Sequence, residues 1–186
     1  MREFCIILIA AGFGVLAARA QITNVPSTEL EVFEAKTGTV IVKGAGQMGS
    51  LAVDTANITV TSKESQDVST GLRQYGMAVE ATANNQRLWK KVVDDDELDS
   101  LINGLNYLAK IDYKVTELPA FVASYVTKSG LHIGAFTSQR HGVIQYFLQD
   151  QTMNSPRILI SPAQLAQFQE LVDATRKNLN SLKAAQ

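Results

Sequence analysis

The sequence is poor in the features that mark several specialised classes of protein. Its 186 residues include one cysteine and four prolines, and 17 basic side chains nearly balance 18 acidic ones. The single cysteine excludes a miniprotein held by disulfides, and an apolar fraction of 46% excludes an intrinsically disordered chain. A net charge of -1 excludes the strongly basic balance of a dedicated nucleic-acid binder. The length suits one domain with a real core, or a domain of two similar halves.

The first twenty residues have the three parts of a secretory signal peptide. Residues 1–3 are a short charged start, and residues 4–16 are an apolar run. Ala18 and Ala20 supply the small side chains that a signal peptidase reads. An uncleaved N-terminal anchor is the alternative, but the run is short for a membrane span. The sequence therefore predicts cleavage between Ala20 and Gln21, and a secreted or periplasmic protein.

Removal of residues 1–20 would leave a chain without cysteine and with slightly more acidic than basic side chains. Such a chain forms no disulfide, so its stability must come from core packing and hydrogen bonds. No later stretch has the length and apolarity of a membrane span, so we expect none after signal removal. Residues 21–36 are polar and include Pro26, which predicts an extended arm before the folded part.

Residues 37–186 form a single predicted domain in which two series of strands each precede a helix. Alternating apolar and polar side chains, rich in β-branched types, predict antiparallel strands separated by glycine-rich or asparagine-rich turns. The first series covers residues 39–43, 58–63, 75–81 and 87–93. The second series covers residues 111–117, 121–127, 131–138, 143–149 and 157–160.

Each series ends in an amphipathic helix. Leu98, Leu101 and Leu105 recur at spacings of three and four, which predicts a helix over residues 95–110. Ser161, followed by a proline, is typical of the cap and first residue of the second helix. Each helix follows its strand directly, so we expect each to turn back and cover the apolar face of a sheet.

The two helices correspond at a constant distance in sequence. Leu165, Phe168 and Val172 each lie 67 residues after one of the three leucines of the first helix. This favours a duplication with units over about 37–110 and 111–182, although chance is the alternative because such junctions are common. The predicted fold class is therefore α+β, with two antiparallel sheets of about four strands, each followed by a helix.

Four acidic residues, 94–97, open the first predicted helix. Negative charge is favourable at the positive end of the helix dipole, and aspartate is a good cap. A calcium site is the alternative interpretation, but the run lacks the glycine and the distal glutamate of an EF-hand loop. We therefore expect capping, and predict no metal.

Gly44, Gly46 and Gly49 match the G-x-G-x-x-G pattern of dinucleotide-binding proteins. Glu64 even lies where a ribose-binding acid would fall. The pattern works only where a helix follows the third glycine and receives the pyrophosphate. Too few residues separate Gly49 from the next predicted strand for that helix. We predict instead a glycine-rich loop or bulge between antiparallel strands, and no cofactor.

Few residues suit catalysis. His132 and His141 lie in a predicted strand and a predicted turn, without the spacing of metal ligands, and no G-x-S-x-G occurs. Catalytic residues therefore stay unassigned, although a triad assembled through space is still open. Trp89 and both histidines are candidate surface contacts. The strand aromatics belong to a core or to a base-stacking platform: Tyr75, Trp89, Phe136 and Tyr146.

Four antiparallel strands and a helix, repeated once over roughly residues 37–180, resemble Whirly-type single-stranded DNA-binding proteins. Residues 89–91, Trp-Lys-Lys, stand at the corresponding point before the capped helix. Lys43 and Gly44 match part of that family's Lys-Gly-Lys-Ala-Ala-Leu motif, whose second lysine is absent here. The resemblance implies contact with DNA. The chain also resembles exported bacterial proteins classed as domains of unknown function, which implies no activity.

Together these observations predict an exported, soluble binding or structural module. It would present antiparallel sheet surfaces to an unknown ligand or envelope partner, and a homo-oligomer is compatible with this. One alternative is a hydrolase-type enzyme of the cell envelope, less expected because no catalytic constellation emerges. The other is a single-stranded nucleic-acid binder of Whirly-like topology, and the acidic charge and the export signal argue against it.

Overall fold

The computed structural model describes residues 27–54, 56–139, 142–151 and 155–185. Within these ranges the chain forms two antiparallel four-stranded sheets, each followed in sequence by a helix. This confirms the predicted α+β class. Among the described residues, no helix combines the length and apolarity needed to cross a bilayer.

The first sheet is a meander in which strands adjacent in sequence are adjacent in space. A two-residue turn with positive φ at Asn84 and Asn85 joins its last two strands, a geometry that asparagine tolerates well. The first strand is longer than predicted, because the glycine segment bulges between Gln47 and Gly49 and then continues as strand. The strands are β1 (Ile41–Val53), β2 (Ala56–Asp67), β3 (Arg73–Ala83) and β4 (Gln86–Asp94).

The second sheet has the same order of strands. The prediction of a strand over residues 111–117 is wrong, because a turn of 3-10 helix forms at Tyr113–Val115 instead. The Asp112 carboxylate accepts a hydrogen bond from the Lys114 N–H at 2.8 Å, and this local bond competes with an extended backbone. The strands are β5 (Phe121–Val126), β6 (Leu131–Thr137), β7 (Gln145–Asp150) and β8 (Ile158–Ile160).

A short helix, α1 (Glu29–Glu34), lies where the sequence predicted an extended arm over residues 21–36. That prediction is wrong for the described part of the arm, and residues 21–26 lie outside the described residues. Thr28 and Glu31 form a capping box that favours the helix. Leu30 and Phe33 are buried, so packing stabilises a helix that would be too short to persist alone.

Two longer helices follow the sheets, α2 (Leu98–Ala109) and α3 (Pro162–Ala184). The predicted start of α3 is confirmed, since Ser161 and Gln164 form a capping box and proline is the first helical residue. A turn of 3-10 helix over Asp95–Glu97 precedes α2.

The acidic residues before α2 bind other segments rather than capping their own helix. The Asp94 carboxylate accepts hydrogen bonds from the Glu29 and Leu30 N–H groups at 2.8 and 3.0 Å, so it caps α1. Asp95 pairs with Arg176 of α3 at 3.2 Å. The Glu97 carboxylate accepts from the Lys128 N–H, after β5, at 2.8 Å. The run thus ties three distant segments to the end of β4.

Each long helix covers the sheet of the other unit. Helix α3 follows β8 but packs on β1, β2 and β3, whereas α2 follows β4 but packs on β5 and β6. The two helices also contact each other, with the Gln169 amide donating to the Asn106 amide oxygen at 3.0 Å. Gly49 lets α3 approach β1, because a Cβ there would lie 2.5 Å from Leu171 Cδ2. The two units therefore share one core.

The apolar stripes of both helices lie in that core, as predicted. All six matched positions are buried, and they pack in one cluster with apolar side chains of both sheets. They are Leu98, Leu101, Leu105, Leu165, Phe168 and Val172.

Truncation of either stripe should therefore destabilise the protein strongly. Leu101→Ala and Phe168→Ala each leave a cavity, so each should lower the free energy of unfolding by about 2–5 kcal/mol. Asn103 and Gln167 are exposed on the same helices, and their replacement by Ala should cost about 0.5 kcal/mol or less. Denaturant unfolding of the four variants measures the difference. Small and equal effects at all four positions would contradict this packing.

Candidate functional site

The residues singled out from the sequence do not come together. Trp89 is 4% exposed and belongs to the shared core, so its prediction as a surface contact is wrong. Tyr75 and Tyr146 are buried in the same core, and no stacking platform forms from them. His141 lies outside the described residues, as do Ala20 and Gln21 at the predicted cleavage site. His132 is half-buried on β6.

The half-buried His132 belongs to the face of the second sheet that points away from α2, which we call the outer face. The cross-strand register and the alternation of side chains define its members. None of them is acidic. They are Val122, Ser124, Val126, His132, Gly134, Phe136, Gln145, Phe147, Gln149 and Leu159.

Phe147 is the centre of the outer face. Its ring is fully buried although no helix covers it, because neighbouring side chains enclose it. The His132 ring meets it edge-on with centroids 5.0 Å apart, and the Phe136 ring lies 6.0 Å away. Beneath it, a Cβ on Gly134 would lie 2.5 Å from the ring, so only glycine allows this close approach.

Arg157, immediately before β8, closes the aromatic cluster from the solvent side. Its guanidinium carbon lies 4.2 Å from the centroid of Phe147 and 5.3 Å from that of Phe136. The side chain is exposed, and within the described residues no carboxylate lies at ion-pair distance from it. Most other basic side chains in the described ranges are paired with carboxylates: Lys36, Lys43, Lys63, Arg73, Arg87, Lys90, Lys91, Lys128, Arg176 and Lys183.

His132 is held neutral at neutral pH. Burial lowers its pKa, and the positive charge of Arg157 lowers it further. Its Nε2 atom is buried and has no hydrogen-bond partner in the described part of the chain. Among the described residues Nε2 therefore contacts no carboxylate or hydroxyl group at hydrogen-bond distance, and the imidazole packs edge-on against Phe147.

Aliphatic side chains are also exposed on the outer face, beside the aromatic cluster. Val122 is 65% exposed, Leu159 is 51% exposed and Val126 is 38% exposed. The outer side of the first sheet differs, because α1 covers part of it and buries Leu30 and Phe33 there. Within the described residues, no helix covers the outer face of the second sheet.

The lysines that the Whirly resemblance implies as DNA contacts are engaged within the chain. Lys43 lies 3.1 Å from the Glu34 carboxylate, which also binds Lys63. Burial raises the pKa of Glu34, but hydrogen bonds from Lys63, Lys43 and Ser65 outweigh it and lower the pKa overall. Lys91 pairs with Asp150 at 2.7 Å. These pairs reduce the positive charge that a phosphate backbone would meet.

The glycine pattern at residues 44–49 lies inside β1. The register shift after Gln47 confirms the predicted bulge, and the strand continues to Val53 where a dinucleotide-binding protein would begin its helix. A cleft of about 280 Å³ opens beside Gly44 and Gly46, against the last turns of α3. No cluster of three or more metal-binding side chains occurs among the described residues.

No family model matches this chain, no curated protein is significantly similar to it, and no solved structure significantly resembles it. Its function must therefore be argued from the geometry.

Arg157 and Phe147 are the site residues that sequence reasoning missed. The available signal was the period-two alternation, which places Phe147 opposite in direction to Tyr146 and Leu148. All three are apolar, however, so the sequence does not indicate which face of β7 meets the helices. Arg157 immediately precedes a strand of only three residues and belongs to no sequence motif, so nothing in the sequence singled it out.

Lowering the pH from about 7.5 to about 5.5 should destabilise the protein through His132. The folded pKa lies below the unfolded value of 6.5, so the unfolded chain takes up the proton first. Neutral His132 thus contributes to the free energy of unfolding at pH values above the unfolded pKa. This contribution is lost as the pH falls through the folded pKa. Denaturant unfolding of the wild type and His132→Gln at both pH values measures it. Equal losses of stability in the two proteins would contradict the assignment.

Proposed function

We propose that this protein is a binding module that engages its partner through the outer face of the second sheet. The observation that carries the proposal is a sheet face that no helix of the described chain covers and on which Val122, Val126 and Leu159 are exposed. Several exposed apolar side chains on one uncovered sheet face favour an interaction site there.

The sheet also supplies the rigidity that a binding surface needs. Its four strands are fixed by hydrogen bonds to one another, and their opposite side packs in the shared core. The exposed side chains project from a fixed backbone, so a partner would not have to order this surface when it binds.

Neither alternative function has a comparable observation in its favour. A hydrolase needs a nucleophile in contact with a base. Among the described residues, no nucleophile is hydrogen-bonded to the Nε2 atom of His132. A nucleic-acid binder needs several unpaired cations along one surface, whereas the outer face contains no lysine or arginine and Arg157 lies beside it as a single cation.

Photocrosslinking tests the binding function. Benzoylphenylalanine in place of Val122 should give discrete higher-mass adducts in the cells that make the protein. The same group in place of Tyr107, which is 61% exposed on α2, is the matched control and should not give them. Leu159→Asp should remove the adducts of the first variant, because it places a charge in the apolar surface. Identical adducts at both positions, or none at Val122, would contradict the proposal.

We also propose that the module is exported, on the strength of the three-part signal in residues 1–20. The mature protein should begin at Gln21, and intact-mass or N-terminal analysis of protein recovered outside the cytoplasm measures this. Cytoplasmic protein that still begins at Met1 would contradict both cleavage and export.

A further inference from the structure

Arg157 is held in a position that suits recognition of a carboxylate. Its guanidinium carbon lies over the Phe147 ring, 4.2 Å from the centroid, and this cation–π contact favours one position of an exposed side chain. The side chain is exposed and has no carboxylate at ion-pair distance among the described residues. A guanidinium that is already oriented loses little freedom when it binds, and a carboxylate can accept two of its hydrogen bonds.

The surroundings of Arg157 determine what must accompany that carboxylate. Exposed Val122 and Leu159 lie on the same face, at 65% and 51% exposure. His132 is neutral and half-buried there, so it adds apolar contact rather than charge. The outer face as defined above contains no acidic residue. A partner surface that matches the outer face and Arg157 would therefore carry aliphatic side chains next to a carboxylate.

We propose that the partner of the outer face is a polypeptide segment in which an aspartate or glutamate is flanked by aliphatic residues, with Arg157 binding the carboxylate. This rests on the proposed binding function. A second copy of this chain fits less well, because packing outer face to outer face would place two Arg157 side chains in one interface without a carboxylate. A single strand of nucleic acid fits less well because one cation neutralises little of a phosphate backbone.

Selection from a displayed library of random dodecapeptides tests the proposal on the intact protein. Peptides recovered with the wild type should be rich in acidic and aliphatic residues. Against Arg157→Gln their affinity should fall about tenfold or more, through the loss of a charge-assisted bond. Against Arg157→Glu, selection should instead enrich basic residues with the same aliphatic neighbours. Lys177→Gln removes an exposed charge on α3, away from the outer face, and should change nothing.

The outcomes separate this inference from the proposed function. If the recovered peptides lose binding on Leu159→Asp but are indifferent to Arg157→Gln and Arg157→Glu, the outer face binds partners and the role of Arg157 is wrong. If no peptide depends on either residue, the outer face is not the site and both proposals fail. If labelled oligothymidylate binds and Arg157→Gln abolishes that binding, a nucleic acid replaces the polypeptide. Thermal melts of each variant confirm that the fold is intact.

Discussion

The exchange of helices between the two sheets is the constraint on which the rest of the structure depends. Helix α3 belongs in sequence to the second sheet and covers the first, while α2 does the reverse. Each sheet buries its apolar face under the helix of the other unit, so we expect the two halves to fold as one cooperative body. The ion pairs agree with this, because Arg176 of α3 pairs with Asp99 in α2 and with Asp95 in the turn before it.

The same exchange leaves both outer sides of the sheets without a long helix. On the first sheet, α1 occupies part of the exposed side and is held there at both ends. Asp94 accepts from the first N–H groups of α1, and Glu34 at its last residue binds Lys63 and Lys43. The second sheet has no equivalent segment in the described chain. The outer side of the first sheet is therefore partly covered by the chain's own α1, whereas no described segment covers the outer side of the second sheet.

The sequence was informative where local patterns determine structure and uninformative where long-range packing does. Apolar residues at every second position, or at spacings of three and four, were enough to find the eight strands and the two long helices. They failed at residues 29–34, where the packing of Leu30 and Phe33 stabilises a helix in polar sequence, and at residues 113–115, where Asp112 favours a turn. They could not assign a helix to a sheet, because the stripe of α3 is equally suitable for either. For the same reason the sequence did not predict the outer face. The alternation separates the two faces of β7 but does not show which of them packs against a helix.

Phe147 shows why fold and binding surface are not separable in this protein. On an open sheet, a phenylalanine on the solvent side would lose most of its hydrophobic stabilisation, yet this one is fully buried. Gly134 beneath it provides space for the ring, and Arg157 and His132 enclose it. The same cation–π contact helps to enclose the ring and favours one position of the guanidinium, so it contributes both to the packing of the sheet and to the placement of the cation. A partner that binds Arg157 would therefore meet a charge whose position is set by the packing of the sheet.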